Sequence, residues 1–138
     1  MFKGNRPKNL GVKDGRLAEC PGSPNCVCSQ DTKEKETIAP LVYTVSLEEA
    51  KKVLKDVVDL QTLSEIIEEK DDYLYAEFTS SLLGFVDDVE FYFPQNEKLI
   101  HVRSSSRLGH YDFGANRKRV EAIRAEFSQR VGELQKNV

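Results

Sequence analysis

Phe85-Val86-Asp87-Asp88-Val89-Glu90-Phe91-Tyr92-Phe93 is followed by Pro94-Gln95-Asn96-Glu97 and then by Leu99-Ile100-His101-Val102-Arg103-Ser104-Ser105-Ser106. Both runs are rich in aromatic and β-branched residues and alternate apolar with polar side chains, the mark of strands that bury one face. A third run, Tyr73 to Ser80, precedes them across a link ending in Gly84. Links this short allow only antiparallel neighbours, because a parallel crossover needs a dozen or more residues. A four-residue loop at 94–97 predicts Phe91 opposite Ile100, Val89 opposite Val102 and Asp87 opposite Ser104. The alternate set pairs Tyr92 with Leu99, Glu90 with His101, and Asp88 with Arg103. The preceding hairpin adds Leu74, Ala76 and Phe78 to the apolar face, and sets Tyr75 beside Glu90 and Glu77 beside Asp88. A slip of one residue would turn the carboxylates into the core, so the faces are well specified.

A less regular run near Leu63 to Glu69 makes a fourth strand, and Leu41 to Val45 is a candidate for a short fifth. Ser46-Leu47-Glu48-Glu49 has the form of a capping box. Behind it Ala50, Val53, Leu54, Val57 and Val58 recur at helical spacing. A second helix closes the chain, with Val120, Ile123, Phe127, Val131 and Leu134 in one stripe. The expected fold is α+β: an antiparallel meander with two helices on one face. Residues 41–138 form that domain. Residues 1–40 hold four of the five prolines, four of the eight glycines and all three cysteines, and read as an irregular arm packed on or extending from it.

The 138 residues carry 31% charged side chains of both signs and a net charge of −3. That balance disfavours a nucleic-acid binder and excludes an acidic disordered tail. No apolar stretch is long enough for a membrane span. No basic stretch with an apolar h-region opens the chain, so the expected location is cytoplasmic, with export the alternative if a leader has been removed.

Two groups of residues could carry chemistry. On the polar sheet face Asp88, Glu90 and His101 could act as acids and bases, with Arg103 supplying a cation between opposed carboxylates. The alternative, a solvated outer face, is the common condition of antiparallel sheets and is preferred. The second group is Arg103, Arg107, Asp112, Asn116 and Arg117, running off the last strand into the last helix. If Asn116 caps that helix, Arg117, Lys118 and Arg119 fall in its first turn, where the macrodipole disfavours cations. Internal salt bridges would explain them, and so would an external phosphate, sulfate or carboxylate. If Asp112 caps, the anomaly fades. Ser104 to Ser106, His110 and Asp112 hold the letters of a hydrolase triad, but hydroxyls tying down loop backbone account for them better.

Cys20, Cys26 and Cys28 surround Pro21-Gly22-Ser23-Pro24-Asn25. Three thiolates could bind zinc or copper, though no fourth ligand is near in sequence. A Cys20–Cys26 bridge is the better reading in an oxidising compartment, and free packed thiols in a reducing one.

Three segments together resemble a known family. They are Leu17 to Gln30, Phe85 to Phe91, and Val102 to Arg107 continuing through Asp112 to Arg117. The chain is similar over Leu10 to Phe127 to domain-of-unknown-function family 1499, found in bacteria and plastids. In that family Cys20 and Cys26 match a recurring cysteine pair, and Cys28 stands where serine is usual. The resemblance implies a fold and candidate positions but no reaction and no cofactor. The expected role is a small non-enzymatic module that binds an anion or a protein partner near the start of the last helix. An enzyme working through Asp88, Glu90, His101 and Arg103 is the alternative.

Overall fold

The computed structural model describes residues 3–81 and 83–136. Among them the chain forms β1 (Cys26–Cys28), β2 (Leu41–Val42), α1 (Leu47–Asp59) and β3 (Ser64–Lys70). It continues with β4 (Tyr73–Thr79), β5 (Val86–Tyr92), β6 (Leu99–Ser106) and α2 (Ala115–Lys136). The α+β class and the antiparallel meander are as the sequence predicts. The sheet has six strands, in the order β1-β6-β5-β4-β3, with β2 also on β6. β1 pairs with Arg103–Ser105 and β2 with Leu99–Ile100, so two short strands cover what would be a free edge of β6.

The capping box at α1 is present. Ser46 Oγ accepts from the Glu49 amide at 3.1 Å, and the Glu49 carboxylate accepts from the Ser46 amide at 3.2 Å. Ala50, Val53, Leu54, Val57 and Val58 are buried from α1, and Val120, Ile123, Phe127 and Val131 from α2. Leu134, predicted in the same stripe, is 39% exposed, because α2 has run past the sheet there. Both helices pack with Leu74, Ala76, Phe78, Val89, Phe91, Ile100 and Val102 into the main core.

The β4–β5 register is as predicted, with Tyr75 opposite Glu90 and Glu77 opposite Asp88. The β5–β6 register differs by two residues. Glu90 faces Arg103, Asp88 faces Ser105, and Tyr92 faces His101. The cause lies in the link. Phe93 prolongs the pairing on the β4 side, its amide donating to Asp72 O at 2.8 Å, while Lys98 O accepts from the Tyr43 amide. The turn therefore takes 93–98 rather than 94–97. An even shift preserves which side chains share a face, so the core is unaffected while every cross-strand partner changes.

The second correction concerns the polar face, which is not open to water. Leu17, Cys20, Cys26 and Cys28 pack with Tyr73 and Tyr75 over it, joined by Leu10, Val12, Ile67 and Tyr92. A bulge between Ile66 and Glu68 lies in β3; Ile66 packs on the main core and Ile67 on this smaller one. The arm is thus a third layer. It is held by backbone bonds from β1, by Arg117 to Lys35 O and Thr37 O, and by Arg124 to Ala39 O and Pro40 O. Cys20 and Cys26 form a disulfide, which removes both from the trio read as metal ligands, and Cys28 is free and buried. The bridge closes a small loop, so replacing both cysteines (Cys20→Ala with Cys26→Ala) is expected to lower stability by about 2 kcal/mol in urea unfolding. The same loss should follow when a dithiol reduces the native chain.

Candidate functional site

Beneath the arm, alternation on β4 and β5 turns Tyr73, Tyr75 and Glu77 toward Asp88 and Glu90. Asp88 is 1% exposed and Glu90 0%. Groups this buried need partners, and both acids have them, although Glu90 Oε2 accepts, and Arg103 Nε donates, no hydrogen bond among the described residues. Tyr73 donates to Glu90 Oε1 at 2.6 Å, and the Gly11 amide donates to the same oxygen at 2.7 Å. Arg103 Nη1 stands 4.0 Å from Glu90 Oε2, and Arg103 Nη2 donates to Glu19 O. Tyr75 donates to Asp88 at 2.5 Å and lies 2.8 Å from Glu77 Oε2. Arg107 completes this group, donating to both Asp88 oxygens and to Glu77. Arg6 of the arm also donates to Glu77, at 2.7 Å.

The opposed pair Glu77 and Asp88 therefore gets its cation from Arg107, not from Arg103. Reading Arg103 into that place followed from the two-residue error in register. His101 is likewise separated from Glu90; it lies against Tyr92 with ring centroids 6.3 Å apart, and its Nδ1 is 3.0 Å from Ser29 Oγ. Burial lowers its pKa and keeps the ring neutral.

Burial also pushes up the hydroxyls of Tyr73 and Tyr75, helped by Glu90 and Asp88 respectively, so both stay protonated donors. It raises Glu90 above the ordinary 4.5, against the pull of Tyr73, Gly11 and Arg103. For Glu77 burial works the same way, but hydrogen bonds from Arg6, Tyr75 and Arg107 outweigh it and the carboxyl sits low. Acids sealed from solvent and tied to hydroxyls and guanidinium groups hold layers together.

The other candidate residues gather at the start of α2. Asp112 anchors it: its carboxylate accepts from the Gly114 amide at 2.9 Å and from the Asn116 amide at 3.0 Å. Burial opposes its charge, but those bonds prevail and lower its pKa. Asn116, fully buried, reaches Ser106 Oγ, Asn25 O and Asp112 through Nδ2, and accepts from Ser104 and Arg119. Asn25, the last residue inside the disulfide loop, donates to Gly109 O at 2.8 Å. Ser104 is thus occupied by the Asn116 and Arg119 side chains and Asp112 by backbone amides, and His110 is exposed. Arg119 pairs with Asp87 at 2.7 Å and lies over the Phe78 ring. With Arg117 on arm carbonyls, two of the three cations of the first turns are matched from within, and Lys118 is exposed.

What this bracing holds in place is apolar. Phe113 is 80% exposed and Tyr111 63%, and their rings meet edge to face at 4.9 Å. Phe113 sits at φ +54°, a left-handed conformation that costs a bulky residue about 1–2 kcal/mol. With Leu108, Phe85 and Val86 the two rings border a hollow of about 300 Å³. Sequence reading passed over Tyr111 and Phe113. The one signal was a Gly109–Gly114 frame around two aromatics in a loop.

The profile of one sequence family, described as protein of unknown function (DUF1499), matches residues 16–127. The chain belongs to this family. The matched stretch takes in the disulfide loop, the buried acids of β5, the aromatic loop and most of α2. No match was found among curated proteins or among solved structures.

Two outcomes test the buried cluster. Arg107→Ala leaves Asp88 as an uncompensated buried charge and is expected to cost about 3–5 kcal/mol in urea unfolding. For Glu90 the raised folded pKa means that the folded chain holds a proton the unfolded chain has released. Its contribution is complete below about pH 4.5 and is lost as pH rises toward the folded value. Glu90→Gln keeps an acceptor for Tyr73 and Gly11 and removes that slope. The variant should therefore gain stability relative to the native chain as pH rises above about 4.5.

Proposed function

We propose that the protein is a non-enzymatic binding module whose partner-facing surface is the apolar hollow at the start of α2. The observation that carries this reading is Phe113. An aromatic side chain left in water, on a strained backbone, contributes little to the fold. Strain held by a rigid surround is a feature of sites that act on something else. Burying a Phe side chain is worth about 1.5–3 kcal/mol, and aromatic residues dominate the energetics of protein interfaces. The hollow beside Phe113 and Tyr111 is of a size to receive one apolar side chain. A protein segment is the partner that supplies such a side chain together with backbone to cross the rim.

Of the two ligand classes expected near this helix, the small anion loses its motive. Arg103 reaches Glu90 and Glu19 O, Arg107 holds Asp88 and Glu77, and Arg117 holds Lys35 O and Thr37 O. Withdrawing any of them to meet an anion would unpair a group inside the protein. The enzyme alternative requires Asp88 and Glu90 to meet a substrate, and both lie sealed beneath the arm.

The test is a displayed peptide library panned on the native chain and on Phe113→Gly. Glycine tolerates the left-handed backbone, so Phe113→Gly should leave stability unchanged or raise it by up to about 1 kcal/mol. Peptides enriched on the native chain should carry an aromatic or leucine anchor and lose affinity for the variant. If no enriched peptide depends on Phe113, or if Phe113→Gly unfolds the protein, the ring is structural and the reading fails.

A further inference from the structure

The walls of the hollow carry charges whose balance selects among protein segments. Two carboxylates stand there, and both are engaged: Asp87 with Arg119 at 2.7 Å, and Asp112 with the amides of Gly114 and Asn116. On the other face of the sheet, Glu77 and Asp88 are held by Arg107. The hydrogen-bond donors at the rim, two of them lysines, are in the opposite condition. Lys118 is exposed and runs along Gly114, 3.9 Å from where a Cβ would stand. His110 is exposed between Gly109 and Tyr111, which both line the hollow. Lys3 is exposed next to Gly4, and a Cβ on Gly4 would lie 3.0 Å from the Leu108 side chain. None of these three pairs with a carboxylate among the described residues. A chain of net charge −3 thus presents a locally positive rim around an apolar centre.

Resting on the reading of this face as a binding surface, we propose that its occupant is an acidic protein segment. One phenylalanine or leucine of that segment seats against Phe113 and Tyr111, and its aspartates and glutamates face Lys118, Lys3 and His110. The central apolar contact supplies most of the affinity, while the rim charges choose the partner and speed the encounter. A basic segment meets like charge at Lys118 and Lys3, and a neutral one gains nothing from them. Because the rim is exposed, the charge contribution fades as salt screens it, whereas the seated side chain is indifferent to salt.

The probe is a short fluorescent peptide with one central phenylalanine flanked by aspartate and glutamate, compared with the same peptide flanked by lysine. Lys118→Glu is the variant, because an acidic residue in the first turn of α2 suits the helix dipole and folding is spared. The acidic peptide should bind the native chain, weaken about tenfold on Lys118→Glu and on raising salt from about 50 mM to about 500 mM, and be lost on Phe113→Gly. The lysine-flanked peptide should bind more weakly to the native chain and recover on Lys118→Glu. Equal binding of the two peptides overturns the acidic occupant while leaving the face intact. So does a panned library whose Phe113-dependent members are neutral or basic. Phe113-dependent binding to vesicles of anionic phospholipid, with neither peptide bound, overturns it in favour of a lipid surface. Absence of any Phe113-dependent binder in the library removes the face itself, so the two failures are distinct.

Discussion

Arg107 and the two acids it holds are the constraint on which the other parts rest. Asp88 lies in the middle of β5 with no path to water, directly across from Glu77 on β4. Two carboxylates so placed repel, and a sheet carrying them on an inner face would not close without a cation between them. Arg107 reaches back from just beyond β6 to supply it, and Tyr75 supplies a hydroxyl. Once that pair is neutralised the face can be covered. Arg6 and the Gly11 amide then pin the arm to Glu77 Oε2 and Glu90 Oε1. The third layer is therefore a consequence of charge matching as much as of apolar burial by Leu17, Cys20 and Cys26.

How legible this was from residues differs by element, for physical reasons. β4, β5 and β6 have a period of two that survives any even slip, so their faces could be read and their register could not. The register depends on how many residues the link takes, here 93–98, and periodicity does not count them. The capping box was readable because its partners are three residues apart. The cover over the polar face was hidden for two reasons. An irregular arm has no period, and tyrosines such as Tyr73 and Tyr75 count equally well as apolar bodies or polar tips.

The candidate site divides in the same way. Arg107, Asp112, Asn116 and Arg117 stood out because cations at a helix start break a local preference, and such breaks ask for a partner. The partners themselves were out of reach. A guanidinium on a long stem can meet a carbonyl eighty residues away in sequence, as Arg117 meets Thr37 O. Phe113 illustrates the opposite limit. Its type is ordinary, and its exposure and positive φ belong to a loop conformation that no spacing encodes.

The stability of the covered sheet and the shape of the exposed hollow share the same residues. Arg107 belongs to the buried acids and also opens the loop that carries Leu108, Tyr111 and Phe113. Asn25 closes the disulfide loop of the arm and also holds Gly109 O, while Asn116 ties Asn25, Ser106 and Asp112 into one network. A loop held from both sides does not need ordering when something docks, which removes a cost that flexible surfaces bear on binding. On the proposed reading of this face, the arm shapes the binding surface even where it touches nothing outside the protein. The strain at φ +54° persists because this surround leaves Phe113 no other place to go.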